Sequence, residues 1–363
     1  MSKQETPKNW RHIITWAACI LAVVVVVLGA FTRLVDAGLG CPDWPGCYGH
    51  LTWPNDIKEI KTANMIFPDS PVDVSKTWPE MVHRYFAGTL LLFVVLLTYL
   101  AWRDRQAPTF KQTHILLIII ILQAAFGMWT VTLKLWPQVV TAHLLGGMAT
   151  LSMLWILCER LAGKPRQLHG RYLPGIRRLR LLALTAVAIV ILQIGLGGWT
   201  SSNYAALACP DFPTCHNQWW PQANFVEGFN IFQQIGPNYL GGALENDART
   251  AIHLAHRIGA LITTAIVLIL SVLAWRYELR GWSLWLTGVL LLQVSLGIAN
   301  VVMSLPLGIA VAHNAGAALL LLSLLTFCYR IYTMNAVIIN KQEVVNVEVI
   351  VRGEGLTTVS NLN

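Results

Sequence analysis

The chain has 363 residues, of which 55% are hydrophobic and only 12% charged, with a mean hydropathy of +0.55 and a formal net charge of +8. That balance excludes a soluble globule and predicts a polytopic membrane protein. The positive charge requires no nucleic-acid partner, because the placement of Lys and Arg explains it as a bias toward one side of a membrane.

Eight segments are long enough to cross a hydrocarbon core of about 30 Å. They are residues 12–33, 79–102, 112–134, 138–159, 181–201, 249–275, 282–303 and 306–330. The first apolar run, Ile13 to Phe31, is too long for a signal-peptide core and no small-residue cleavage site precedes the polar loop. The N-terminus also lacks the Arg-rich amphipathic character of a mitochondrial transit peptide, so a bacterial inner membrane is the expected location. Of the 26 Lys and Arg, 18 fall at the N-terminus, in the turns with Arg103, Arg105 and Lys111 and with Arg276 and Arg280, in the loop from Arg160 to Arg180, and in the tail. Six fall in the opposite loops: Arg33, Lys58, Lys61, Lys76, Lys134 and Arg249. Both termini are therefore expected in the cytoplasm.

The outer loop from Leu34 to Thr77 carries Cys41-Pro42-Asp43-Trp44-Pro45-Gly46-Cys47, and the loop from Ser202 to Ala248 carries Cys209-Pro210-Asp211-Phe212-Pro213-Thr214-Cys215. Cysteine pairs on the oxidising face read as disulfides. Metal ligation is the rival, but five intervening residues with two prolines is not zinc-finger spacing. Cys19, Cys158 and Cys328 lie within spans, where cysteine behaves as a small hydrophobe.

The repeated loop belongs to a larger duplication. Cys41 to Cys209 is an offset of 168, His83-Arg84 to His256-Arg257 is 173, Gln123 and Gly127 to Gln293 and Gly297 is 170, and His143 to His313 is 170. The expected fold is an all-α membrane protein with eight transmembrane helices in two pseudo-symmetric four-helix bundles. Its parts are residues 1–160, a basic cytoplasmic linker 161–180, residues 181–333 and a cytoplasmic tail 334–363. Each half has an even number of spans, so the two share one orientation as a parallel repeat. Gly127, Gly146, Gly147, Gly197, Gly198 and Gly297 let helix backbones approach closely and leave room for a flat ligand. In the tail, Val345, Val347, Val349 and Val351 alternate at the period of a strand.

Of the ten histidines, His12, His50, His114, His169 and His216 fall in tails, loops or span ends. His83, His143, His253, His256 and His313 instead lie near the outer ends of the even-numbered spans, in one layer roughly 7–12 Å along each helix. Two histidines at one depth on two helices of a bundle suit a six-coordinate haem, with imidazoles about 4 Å apart across the iron. The duplication supplies the arrangement twice, as His83 with His143 and His256 with His313. A lone span histidine serves as a proton relay or interhelical hydrogen bond. Another metal is the main competitor, but no clustered Met or carboxylate completes such a site. Arg84 and Arg257, each directly after a histidine, suit haem propionates or anchoring to headgroups or a loop carboxylate.

The halves differ at one telling position. Glu80 precedes His83 by three residues, on the same helical face, where the second half has His253 before His256. A carboxyl beside haem in a low-dielectric site can exchange protons near neutral pH. Pro79 and Glu80 equally suit the first turn of a helix.

Thr32-Arg33-Leu34-Val35, Gly38-Leu39-Gly40-Cys41-Pro42-Asp43-Trp44-Pro45 with Cys47, Glu80-Met81-Val82-His83-Arg84, Thr141-Ala142-His143-Leu144, His256-Arg257 and Ala312-His313 together resemble the haem A synthase family over about residues 12–330. The resemblance implies that the N-terminal bundle receives haem O and the C-terminal bundle keeps a haem b. The implied reaction oxidises the C8 methyl of haem O, through an alcohol and a gem-diol, to the formyl group of haem A for terminal oxidase biogenesis. It makes His83 and His143 ligands of the substrate haem, Glu80 the acid needed for turnover, and His256 and His313 ligands of haem b. It makes Cys41 and Cys47 aids to haem delivery or transfer. Haem O synthase, an electron donor or acceptor, the lipid bilayer and a second copy of the chain are the expected partners. His253 competes with His256 as a ligand, and His256 is preferred because it aligns with His83 and is followed by Arg. A di-haem cytochrome that only transfers electrons, and a haem carrier or oxidase assembly factor without chemistry, are the alternatives.

Overall fold

The computed structural model describes residues 10–103, 109–162 and 176–333. Most of the linker 161–180 and all of the tail 334–363, with its alternating valines, lie outside them. The helices, in chain order, are α1 (Trp10–Leu34), α2 (Ile57–Ile66), α3 (Val74–Arg103), α4 (Phe110–Thr132), α5 (Pro137–Leu161), α6 (Ile176–Ser202), α7 (Phe225–Gly228), α8 (Asn246–Arg276), α9 (Arg280–Val302) and α10 (Leu307–Thr333). All but α2 and α7 are long and apolar enough to cross a membrane. Only a helix satisfies every backbone group of such a run internally in lipid, and large side chains such as Leu92, Ile118 and Leu261 face outward. The chain is a multi-pass, all-helical membrane protein.

Among the described residues, α1 packs on α3 and α5 while α4 packs on the same two, and α6 packs on α8 and α10 while α9 packs on those two. Contacts of α5 with α6, α1 with α10, and α5 with α10 join the two sets. One buried cluster spans both sets and includes Ala18, Ala22, Leu151, Leu154, Ala183, Ala186, Leu321 and Leu324.

The duplication is written in the backbone as well as the sequence. Left-handed residues recur at the repeat offsets: Asp36 and Tyr204, Tyr48 and His216, Gly49 and Asn217, Lys134 and Ser304, Leu135 and Leu305. Non-glycine residues take this conformation rarely, so the four pairs without glycine mark matched loops. Residues one repeat apart also touch. Tyr204 donates its hydroxyl to Asp36 at 2.7 Å, and Arg33 Nη2 donates to the Ser201 carbonyl at 2.5 Å. Such self-complementary contacts are those of a two-fold axis. The Arg33 guanidinium also lies 4.2 Å from the Tyr204 ring and pairs with Asp36 at 3.3 Å.

One expected boundary shifts with consequence. The second span begins at Val74, not residue 79, because Asp73 caps it: its carboxylate accepts from Ser75 N at 3.0 Å and its carbonyl from Thr77 N at 3.0 Å. Pro79 and Glu80 therefore lie in the second turn, and the helix start does not explain Glu80.

Candidate functional site

Each of the four paired histidines faces a glycine on a neighbouring helix. A Cβ added at Gly29 would lie 3.0 Å from Cε1 of His83, at Gly127 3.4 Å from that of His143, at Gly197 3.3 Å from that of His256, and at Gly297 3.0 Å from that of His313. The glycines let each imidazole approach the adjacent backbone closely through its Cε1 edge. Within each half the two rings lie near one another, His83 with His143 and His256 with His313. All four are enclosed by protein yet keep accessible surface, as side chains do when they border an internal slot. The rings of His83, His143 and His313 each lie within reach of a backbone carbonyl of the facing helix, at Val25, Gln123 and Gln293 respectively, the kind of contact that orients a ligating histidine through its second nitrogen. Paired imidazoles, each facing a glycine of an adjacent helix, fit a planar, iron-bearing macrocycle. No cluster of three or more His, Cys, Asp or Glu among the described residues would hold a bare metal ion.

Above the histidines sits a repeated tether. Glu80, 4% exposed, accepts from Cys41 N at 2.9 Å through Oε2 and pairs with Arg84 Nη2 at 2.5 Å through Oε1. Arg84 Nη1 also donates to the carbonyls of Asp43, Pro45 and Gly46. The loop so held is closed by a Cys41–Cys47 disulfide, and its Asp43 carboxylate accepts from Tyr48 N at 2.6 Å and Gly49 N at 2.8 Å. Gly40 has no alternative here, since a Cβ would run into the Lys76 carbonyl. Burial, then the carboxylates of Glu80, Asp43 and Asp73, push the Tyr48 phenol up, so it stays protonated and donates to the Pro71 carbonyl at 3.3 Å.

The second half repeats the tether with one substitution. Cys209 and Cys215 form the disulfide, and Arg257 donates to the carbonyls of Cys209, Asp211 and Thr214 at 2.7–2.9 Å. His253, 4% exposed, takes the place of Glu80: its Nδ1 accepts from Cys209 N at 3.1 Å and its Nε2 lies 3.3 Å from Arg257 Nε. A carboxylate can accept both bonds, whereas a neutral imidazole has one accepting nitrogen. His253 thus faces the loop while His256 faces Gly197.

The outer loops also bind the halves together. Trp136 Nε1 donates to the Gln233 carbonyl at 3.2 Å, Gln138 Nε2 to the Ile231 carbonyl at 3.0 Å, and Tyr239 N to the Lys134 carbonyl at 3.0 Å. The second outer loop is therefore tied to the turn that leads into the helix of His143.

A family model described as cytochrome oxidase assembly protein, COX15-CtaA, matches residues 12–325. The chain belongs to the COX15-CtaA family. A protein named Heme A synthase from Shewanella oneidensis is 47% identical over 320 residues, covering 87% of this chain and 96% of its own length. Another of that name from Caulobacter vibrioides is 26% identical over 348 residues, covering 88% and 96%. In this COX15-CtaA member, sequence reasoning singled out the histidines, Glu80 and both arginines. It missed Gly29, the tether made by Glu80 and His253, and Gln193, whose amide lies 3.1 Å from His256 Nδ1. Gly29 and Gln193 carry a signal only when each helix is aligned on the histidine it faces.

Proposed function

We propose that this chain is a haem A synthase of a bacterial inner membrane, with both termini in the cytoplasm and its two helix sets forming two four-helix bundles. The N-terminal bundle takes haem O as substrate between His83 and His143, and the C-terminal bundle keeps haem b between His256 and His313. The observation that carries the reading is the one difference between two matching tethers: Glu80 stands where the other half has His253.

When bound, haem b supplies one-electron redox chemistry at a fixed distance from the substrate half. The chain's own residues do the rest. The glycines opposite the histidines set the rings' approach, and the two disulfide loops close the outer ends of the slots against water. Arg84 and Arg257 hold those loops, leaving any propionate to share their guanidinium groups. Oxidising the C8 methyl to a formyl group with an oxygen atom from water (CH3 + H2O → CHO + 4 H+ + 4 e−) sends the electrons to an external acceptor and releases protons, and the carboxylate of Glu80 is the base held next to His83. Two ties, to Cys41 N and Arg84, fix it there. A haem O synthase upstream and an electron donor or acceptor complete the reaction.

A purely structural role for Glu80, as in an electron-transfer cytochrome, draws on those same two ties. The two readings part in the haem extracted from the purified protein. Glu80→Gln keeps an oxygen for Cys41 N, so the synthase reading expects bound haem O or its alcohol with formyl haem abolished. Normal formyl haem from that variant would leave Glu80 as a tether alone.

A further inference from the structure

His83 alone breaks a packing rule that the other three histidines obey. On the helices that face them, a glutamine stands one turn before the contacting glycine: Gln123 before Gly127, Gln193 before Gly197 and Gln293 before Gly297. On the histidine helices a glycine stands three residues later: Gly146 after His143, Gly259 after His256 and Gly316 after His313. Residues at these spacings share a helical face, and the two features fit together. A Cβ added at Gly146, Gly259 or Gly316 would run into the amide of Gln123, Gln193 or Gln293 respectively. The absent side chain makes the room that each amide fills.

The amides reach the rings in the second half. Gln193 Nε2 lies 3.1 Å from Nδ1 of His256 and 3.0 Å from its carbonyl, and Gln293 Nε2 lies 3.5 Å from Nε2 of His313. The Oε1 atoms of Gln193 and Gln293 are buried without a partner. A half-turn of the Gln193 amide sets Oε1 on an Nδ1–H of His256, which satisfies the oxygen and leaves the lone pair of Nε2 facing the slot. A ligating histidine is commonly oriented in this way, by a carbonyl oxygen on its other nitrogen. At the fourth site the corresponding residues are Val25 on α1 and Phe86 on α3. Neither offers a side-chain amide, and the ring of His83 meets the backbone of Val25 instead.

We propose that Gln193 is a positioning residue that fixes His256 on a resident haem. The inference rests on the haem reading above.

The test uses the full-length protein purified with its haem, reduced, and mixed with carbon monoxide, which binds bis-histidine iron only as a histidine leaves. Gln193→Met removes the amide at similar volume, and Gln193→Val installs the residue found on α1. Both are expected to speed carbon monoxide binding at the second-half haem, and haem loss to apomyoglobin, by about 10- to 100-fold. Wild-type rates in both Gln193 variants overturn the proposal. If His256→Ala and His313→Ala keep the second-half pigment, the haem reading fails and the inference with it. If they lose it while the Gln193 variants behave as wild type, only the positioning role fails.

Discussion

Gly297→Ala puts a methyl group 3.0 Å from Cε1 of His313, where carbon atoms in contact rest about 3.5–4.0 Å apart. The imidazole must retreat by about 0.5–1 Å, and the Gln293 amide on its Nε2 opposes the movement. Overpacking of this kind costs about 1–3 kcal/mol, against a gain of about 1 kcal/mol for alanine over glycine inside a helix. Global stability should therefore change little while the ligand ring is displaced, weakening haem retention by roughly 5- to 150-fold if the whole overpacking cost falls on the ring. Gly127→Ala is the control, because its Cβ meets His143 at 3.4 Å, an ordinary contact. The assay is the haem-to-protein ratio of each purified variant after gel filtration, beside its thermal midpoint. Gly297→Ala is expected to lose most of its second-half pigment with its midpoint nearly unmoved, and Gly127→Ala to keep its first-half pigment. Full retention in Gly297→Ala, or equal loss in Gly127→Ala, would refute the reasoning.

Arg257→Lys cannot span the three carbonyls that the planar guanidinium reaches; proteolysis of the 209–217 loop should accelerate, and an unchanged cleavage rate would remove the arginine as tether. Asp211 is held down to about 2 by the Thr214 hydroxyl, helped by the Asn217 and His216 N–H groups. Its folded value lies below its ordinary 3.8, so its support for the 211–217 turn is complete above about pH 4 and is lost as pH falls toward 2. Loop cleavage by an acid-tolerant protease should rise through that window in the wild type and less so in Asp211→Asn. Tyr204→Phe removes the hydroxyl that joins the halves at Asp36 and should cost about 0.5–1.5 kcal/mol, read as a lower unfolding midpoint in detergent. Thiol labelling of intact cells should leave Cys41 and Cys47 unmodified until a reductant is added.

The spans were legible because nothing but a helix suits an apolar run of that length, and the expected 112–134 and 306–330 differ from α4 and α10 by only a few residues. Helix starts were less so. Asp73 caps α3 ahead of a polar turn that carries no hydrophobic signal, and α2 was overlooked although Asp56 accepts from Glu59 N and Glu59 reaches back to Asn55 N. The histidine pairs were readable from the repeat offsets alone. Their surroundings were not, because Gly29 meets His83, and Gln193 meets His256, only across two helices far apart in the chain. His253 was visible as a departure from Glu80, but its bond to Cys209 N depends on how the disulfide loop folds back.

The most direct measurement is chromatography of haems from membranes in which the chain is co-expressed with a haem O synthase, comparing wild type with Glu80→His. The substituted residue is the one the second half already uses to hold its loop, so loop and bound haem should survive. Wild type should yield formyl haem, and Glu80→His should accumulate haem O with no formyl product. Formyl haem at the wild-type level from Glu80→His, or none from the wild type, would contradict the assignment of catalysis to Glu80 or of synthase activity to the chain.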